Sequence, residues 1–329
     1  MSKHRQPVLV TGAGGFIGSH LVELLLKEGY RVRALLRYTS RASAGDLAEV
    51  IGCGHPNLEL CYGDVRVAAD VLRAAEGCLW IFHLAALIGI PYSYVSPASY
   101  IDVNVVGTLN VLEAARQLGI ERTMMTSTSE VYGSARTPTI DEEHPLSAQS
   151  PYAASKIGAD QLAISYQRSF GLPVSIVRPF NTFGPRQSLR ALIPTICAQA
   201  KFRGSLRLGN LATIRDFVFV QDTVAGFLAV ARSDSLVGQV TNLATGRGIR
   251  VSELVDLVRG MVGADLPVEV DQERVRPADS EVNCLIGNAA KARAEAGWIP
   301  QTTFEDGLAQ TLDWVGSHFS GHNLEAYQR

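Results

Sequence analysis

Two residues four apart, Tyr152 and Lys156 in Tyr152-Ala153-Ala154-Ser155-Lys156, could do proton chemistry on an alcohol. On a helix that spacing puts both on one face. An ammonium about 4 Å from a phenolate stabilises it by roughly 4 kcal/mol at an effective dielectric of 20. One pKa unit is about 1.4 kcal/mol, so the pair is expected to pull Tyr152 toward neutrality and make it a general base. Upstream, Thr126-Ser127-Thr128-Ser129-Glu130 gathers hydroxyls around one carboxylate. Thr128 can bond the hydroxyl that Tyr152 deprotonates, and Glu130, with Ser129 beside it, is a candidate second base.

A glycine-spaced loop near the N-terminus supplies the other half of such chemistry. Thr11-Gly12-Ala13-Gly14-Gly15-Phe16-Ile17-Gly18 reads Gly12-x-x-Gly15-x-x-Gly18 between an apolar run and a helical pattern. Gly12 permits a tight turn, Gly15 lets backbone N–H groups approach a pyrophosphate, and Gly18 lets the helix pack close to the strand. Cradle and base together describe a site that moves a hydride between a nicotinamide cofactor and an alcohol carbon. Asp64, after Gly63, is placed to bond the adenine amino group, and Leu84-Ala85-Ala86 to line the ribose. An NAD site usually carries an acid near the end of the second strand, where this chain has Leu36-Arg37. Arg37 can stack on adenine or meet a 2′-phosphate; NAD is the expected cofactor and NADP the alternative.

The elements that must position these groups alternate. Apolar runs at Val8–Val10, Val32–Leu36, Leu58–Leu60, Trp80–Leu84, Thr123–Met125 and Val174–Arg178 read as buried strands. Helical patterns at Ser19–Glu28, Tyr100–Gly119 and Tyr152–Phe170 fall between them, the first closed by Gly29. The alternation predicts an α/β fold, a doubly wound parallel Rossmann sheet over residues 1–180. Beyond Pro179, prolines and arginines become frequent, so residues 181–329 are expected to form mainly a smaller, partly interleaved substrate lobe, with segments returning to the sheet. The stretch after Ser317 reads as a loose tail.

Composition sets the outer limits. Hydrophobic residues at 47% and charged residues at 19% describe an ordinary globular protein. A formal net charge of −2 gives no electrostatic case for nucleic acid or an anionic membrane as partner. The five cysteines form no C-x-x-C pair and suggest reduced thiols in a cytoplasm, with no metal site. Neither a signal-peptide pattern nor an apolar run long enough to span a bilayer is read.

The chain resembles the extended short-chain dehydrogenase/reductases of the nucleotide-sugar epimerase/dehydratase family over nearly its whole length. Ordered matches run through Thr11–Gly18, His83-Leu84-Ala85-Ala86, Asn104 with Gly107-Thr108, Ser127–Gly133, Tyr152–Lys156, Arg178-Pro179-Phe180-Asn181, Gly184-Pro185-Arg186 and Arg215-Asp216-Phe217. The resemblance implies a cofactor surface made of Gly12, Gly15, Phe16, Ile17, Gly18, Arg37, Asp64, Val65, Leu84, Ala85, Ala86, Ser127, Tyr152, Lys156 and Pro179, with Pro179 near the nicotinamide amide. It implies that Asn181, Arg186, Arg215 and Arg276 hold the nucleotide and diphosphate of a sugar donor, a task suited to the arginine fork. It also implies a homodimer built on the helices from Tyr100 and Tyr152.

Members of this family begin by oxidising C4 of the sugar. A carbonyl at C4 acidifies the C5 proton, so Glu130 could remove it and water leave from C6, giving a 4,6-dehydratase. A C5 carboxylate would instead be lost as carbon dioxide, giving a uronate decarboxylase, and return of hydride to the other face gives a 4-epimerase. Familiar hexose dehydratases resemble Thr-Asp-Glu where this chain has Thr128-Ser129-Glu130, so the usual acid is missing. Leu36–Arg41, Ile90–Tyr94 and Gly184–Pro194 resemble bacterial UDP-N-acetylglucosamine 4,6-dehydratases of nonulosonate pathways, and a UDP-sugar dehydratase is the reading adopted. A cofactor-binding scaffold without catalysis is the reading from another class.

Overall fold

The computed structural model describes residues 6–40, 43–52 and 54–319; Arg41, Cys53 and most of the tail after Ser317 lie outside the described residues. Seven parallel strands form the main sheet in the order β3-β2-β1-β4-β5-β6-β10. They are β1 (Val8–Thr11), β2 (Val32–Arg37), β3 (Leu58–Gly63), β4 (Trp80–His83), β5 (Arg122–Thr126), β6 (Val174–Pro179) and β10 (Val240–Leu243). Helices cover both faces, so Val8, Leu9, Val10, Ile81 and Phe82 at the centre have no exposed surface. That burial is why these strands read as continuous apolar runs.

Each of the six expected strands is present, most of them a residue or more longer. The expected helix over Tyr100–Gly119 is less regular: Pro97–Tyr100 and Gly107–Leu118 are α-helical, and a π-turn at Ile101–Val106 joins them. The extra residue in that turn brings Asn104 inward, where it is 1% exposed and bonds the backbone of Leu87. The last helix runs through His318, one residue past the point where a loose tail was expected.

After β6 the chain leaves the sheet and builds a second lobe. Its strands are β7 (Asn181–Phe183), β8 (Leu206–Leu208), β9 (Ile214–Phe219), β11 (Gly248–Arg250), β12 (Val268–Val270) and β13 (Cys284–Leu285). Strand β9 is central, pairing with β7, β11 and β13. Phe183, Phe217, Phe219 and Phe304 pack there with ring centroids 5.2–6.1 Å apart. The lobe is interrupted twice: Val220–Arg232 returns as a helix against the helix Phe16–Lys27 with β10 pairing to β6, and later the helix Ala290–Ala296 packs on Val220–Arg232 and β10. No helix of the described residues is long and apolar enough to cross a membrane.

Candidate active site

The glycine loop turns at the carboxyl end of β1. Gly12 has φ +69°, and a Cβ there would lie 2.7 Å from the Ala85 nitrogen. At Gly18 a Cβ would sit 2.2 Å from the Gly12 carbonyl oxygen, so the helix from Phe16 can approach the turn only with glycine at that position. The loop is therefore bare backbone at a helix N-terminus, which fits a pyrophosphate. Leu84-Ala85-Ala86 follows β4 beside it. Thr11 Oγ1 accepts from Ala85 N at 3.2 Å and lies 2.8 Å from His83 Nδ1. Burial lowers His83 to about 3, with the Lys156 charge adding to the effect, so its ring is neutral.

At the adenine end, Arg37 closes β2 as an exposed residue. Asp64 is engaged by Arg66, whose Nε and Nη2 donate to it at 2.9 and 2.6 Å, and these bonds hold the carboxyl below its usual range. Arg37 contributes to the same lowering. Val65 packs under the helix Gly107–Leu118, its carbonyl accepting from Asn110.

The carboxyl ends of β5 and β6 and the helix Pro151–Phe170 bring the catalytic candidates together. The helix starts on a Ser150 cap with Pro151 at its first position, which fixes where Tyr152 and Lys156 point. Tyr152 is buried, hydrogen-bonded to Thr128, and meets the Tyr100 ring edge-on at 6.2 Å. Lys156 is 4% exposed and donates to the Thr126 carbonyl. Thr128 also caps the turn Ser129–Tyr132 by accepting from Glu130 N at 3.2 Å. The Glu130 charge acts on both Tyr152 and Arg215, so its carboxylate is within electrostatic reach of each. Ser129, beside it, is 2% exposed.

The expected lowering of Tyr152 does not hold in this structure. Burial pushes the phenol above its ordinary range, the Thr128 hydrogen bond pulls the other way, and the Glu130 charge adds to the rise. Lys156 is itself brought down to about 8 by burial, against the Asp160 carboxylate. Burial disfavours the charged form of each group, the phenolate of Tyr152 and the ammonium of Lys156, and it is the largest effect on both.

Behind this centre lies a buried polar chain that sequence reasoning did not single out. Asp160, one turn after Lys156, accepts from Ser127 Oγ at 2.8 Å and from Arg178 Nε and Nη2 at 3.1 and 2.9 Å. Arg178 donates to the Tyr132 hydroxyl at 2.9 Å, and Tyr132 donates to Asn242 at 2.7 Å. The hydroxyl of Ser127, expected at the cofactor, is thus engaged by Asp160. The signal in the sequence was the i, i+4 step from Lys156 to Asp160.

The expected substrate residues fall into two places. Asn181 on β7 registers with Phe217 on β9, two residues beyond Arg215, and its Oδ1 is buried without a hydrogen-bond partner. Arg215 and Arg276 converge on Glu281 at 3.6 and 3.9 Å. Arg186 is elsewhere: at φ 68° it closes the Gly184-Pro185 turn and pairs with Glu23 of the glycine-loop helix at 2.6 Å. Pro179, the last residue of β6, is in register with Leu243. Glu281 itself was not anticipated; an acid five residues after Arg276 carries no motif.

Residues 9–311 match the family described as GDP-mannose 4,6 dehydratase. A dTDP-glucose 4,6-dehydratase from Streptomyces griseus is 34% identical, with 95% of each chain covered. A UDP-glucose 4-epimerase from Mycolicibacterium smegmatis is 35% identical over 93% of this chain and 97% of its own. Among solved structures, the dTDP-glucose 4,6-dehydratase DesIV from Streptomyces venezuelae with NAD bound superposes with a TM-score of 0.85 at 33% identity, covering 95% of this chain and 97% of its own. The chain therefore belongs to the GDP-mannose 4,6-dehydratase family, the extended short-chain dehydrogenase/reductases that act as nucleotide-sugar dehydratases and epimerases.

Proposed function

We propose that this enzyme is an NAD-dependent 4,6-dehydratase of a UDP-hexose resembling UDP-N-acetylglucosamine. The observation that carries the reading is Glu130, held in the turn that Thr128 caps beside Tyr152 and within electrostatic reach of both that phenol and the Arg215 guanidinium. A sugar whose C4 hydroxyl meets Tyr152 and whose diphosphate meets Arg215 presents C5 to that carboxylate. Residues 1–180 mainly hold the cofactor and 181–329 mainly the nucleotide sugar. When bound, NAD supplies hydride acceptance from C4 and hydride return.

Within that frame the side chains divide the work. Tyr152 takes the C4 hydroxyl proton, and Thr128 holds the hydroxyl in line. Lys156 is anchored on the Thr126 carbonyl one helix turn from Tyr152. Glu130 removes the C5 proton made acidic by the C4 carbonyl and passes it to the C6 hydroxyl, which leaves as water, since Ser129 is not acidic; a second proton, drawn from solvent through Glu130, closes C5 as C6 takes the hydride. Arg215, Arg276 and Asn181 hold the diphosphate and nucleotide. Two copies pair through the helices Gly107–Leu118 and Pro151–Phe170, near Val106 and Phe170, which are 39% and 57% exposed.

The test is turnover of UDP-N-acetylglucosamine and, in parallel, UDP-glucuronate in deuterated water, read by mass. Loss of about 18 mass units with one deuterium gained at C5 is expected, and Tyr152→Phe should reduce the rate by at least about a hundredfold. Loss of about 44 units from the uronate, or an unchanged mass with an altered sugar by NMR, would replace the dehydratase with a decarboxylase or an epimerase.

A further inference from the structure

We infer that Glu281 makes this site select nucleotide sugars whose hexose carries no carboxylate. The inference rests on the reading above in taking Arg215 and Arg276 as ligands of the diphosphate. The Glu281 carboxylate is 14% exposed and lies 3.6 Å from Arg215 Nη2 and 3.9 Å from Arg276 Nη1. These are ion-pair distances without a hydrogen bond, and Arg276 Nη1 is buried with no hydrogen-bond partner. Neither guanidinium is locked to Glu281 by a hydrogen bond, although Arg215 Nη1 donates to the Ile214 carbonyl at 3.0 Å, and the charge of both is already matched.

Glu281 cannot readily swing away, because the strap that carries it is tied to the catalytic loops. Ser280 Oγ donates to the Gln149 carbonyl and meets the Tyr94 hydroxyl. Gln149 Nε2 donates to the carbonyls of Asp279 and Glu281 at 3.1 and 3.3 Å. Gln149 Oε1 accepts from Ser134 N at 2.6 Å and Ser134 Oγ at 3.0 Å. On its other side Val282 is 1% exposed, anchored in the core. The backbone that carries Glu281 is therefore fixed relative to Gln149, three residues before Tyr152.

Charge then decides which sugar fits. Glu130 and Glu281 balance Arg215 and Arg276 before any ligand arrives, and a nucleoside diphosphate adds about two negative charges. A uronate would bring one more beside two fixed carboxylates. Like charges about 6 Å apart at an effective dielectric of 20 correspond to about a hundredfold in affinity, and partial solvation reduces this to about tenfold. A neutral hexose carries no such penalty.

The experiment is calorimetric binding to the NAD-loaded protein of two matched pairs, UDP-glucose with UDP-glucuronate and dTDP-glucose with dTDP-glucuronate. Wild type should bind the uronate at least about tenfold more weakly than the hexose on the same base, and the gap should shrink as salt is raised. Glu281→Gln should narrow it while Glu130 keeps the remainder, and Glu281→Asp, which keeps the charge, should retain it. Equal affinities in wild type, a gap insensitive to salt, or a gap unchanged in Glu281→Gln would each overturn the inference. Binding of none of the four would refute the nucleotide-sugar reading on which it rests. Absence of dehydration with the gap present would refute the dehydratase alone.

Discussion

Removing Arg178 should unfold the protein far more readily than its distance from solvent-exposed chemistry suggests. Arg178 and Asp160 are each 3% exposed in their side chains and pair at 2.9 Å. Arg178→Met leaves the Asp160 carboxylate buried with the Ser127 hydroxyl as its remaining donor, and a buried charge that loses its counter-ion costs about 3–5 kcal/mol. Asp160→Asn is milder, because the guanidinium keeps the Tyr132 hydroxyl at 2.9 Å and lies 4.9 Å above the Tyr132 ring. Near 2 °C per kcal/mol for a large chain, Arg178→Met should lower the melting temperature by about 6–10 °C and Asp160→Asn by roughly half as much. The double variant should cost less than the two singles added, with a coupling of about 2 kcal/mol or more by urea denaturation. Additive losses, or a drop below about 2 °C for Arg178→Met, would show that the pair is solvated in a way its burial denies.

Two further outcomes follow from the cofactor loop. Gly18→Ala sets a Cβ 2.2 Å from the Gly12 carbonyl oxygen, so it should cost about 1–3 kcal/mol of stability and weaken NAD binding at least about tenfold by fluorescence titration; an unchanged dissociation constant would refute the cradle. His83 titrates near 6.5 when unfolded and about 3 when folded, so the folded state binds fewer protons between those values. Its contribution to stability is therefore complete above pH 6.5 and is lost as pH falls toward 3, with a slope of up to about 1.4 kcal/mol per unit. Denaturation of His83→Gln across pH 4–7 should show a shallower slope, and an identical slope would mean the ring is charged in the fold.

The cofactor half was legible because its physics is local. Continuous apolar runs mean strands buried on two faces, and Gly12 and Gly18 have positions only glycine can take at the turn and at the helix contact. Tyr152 and Lys156 were legible as one helix face, yet their titration was not, since desolvation depends on what packs above them: Tyr100, Thr128 and the helix itself. Asp160 and Arg178 sit on different elements, and nothing in their spacing announces a buried pair. The arginines of the second lobe divided for a similar reason. Arg215 and Arg276 meet at Glu281 because β9 and the 276–283 strap lie together, whereas the Gly184-Pro185 turn sends Arg186 to Glu23. Only tertiary contact distinguishes them.

The late return of β10 to the main sheet shapes how the protein can be made. Strand β6 has β10 as its outer neighbour, and about 60 residues of the second lobe separate Pro179 from Val240. At roughly 5–20 residues per second on a ribosome, β6 waits for several seconds with a row of unpaired amides and carbonyls facing outward. A fragment ending at Phe180 would keep that bare margin permanently and invite strand-to-strand association with its own copies. The second lobe is thus also the stopper of the sheet, and a mutation that delays its folding would be paid in aggregates before it is seen in kinetics.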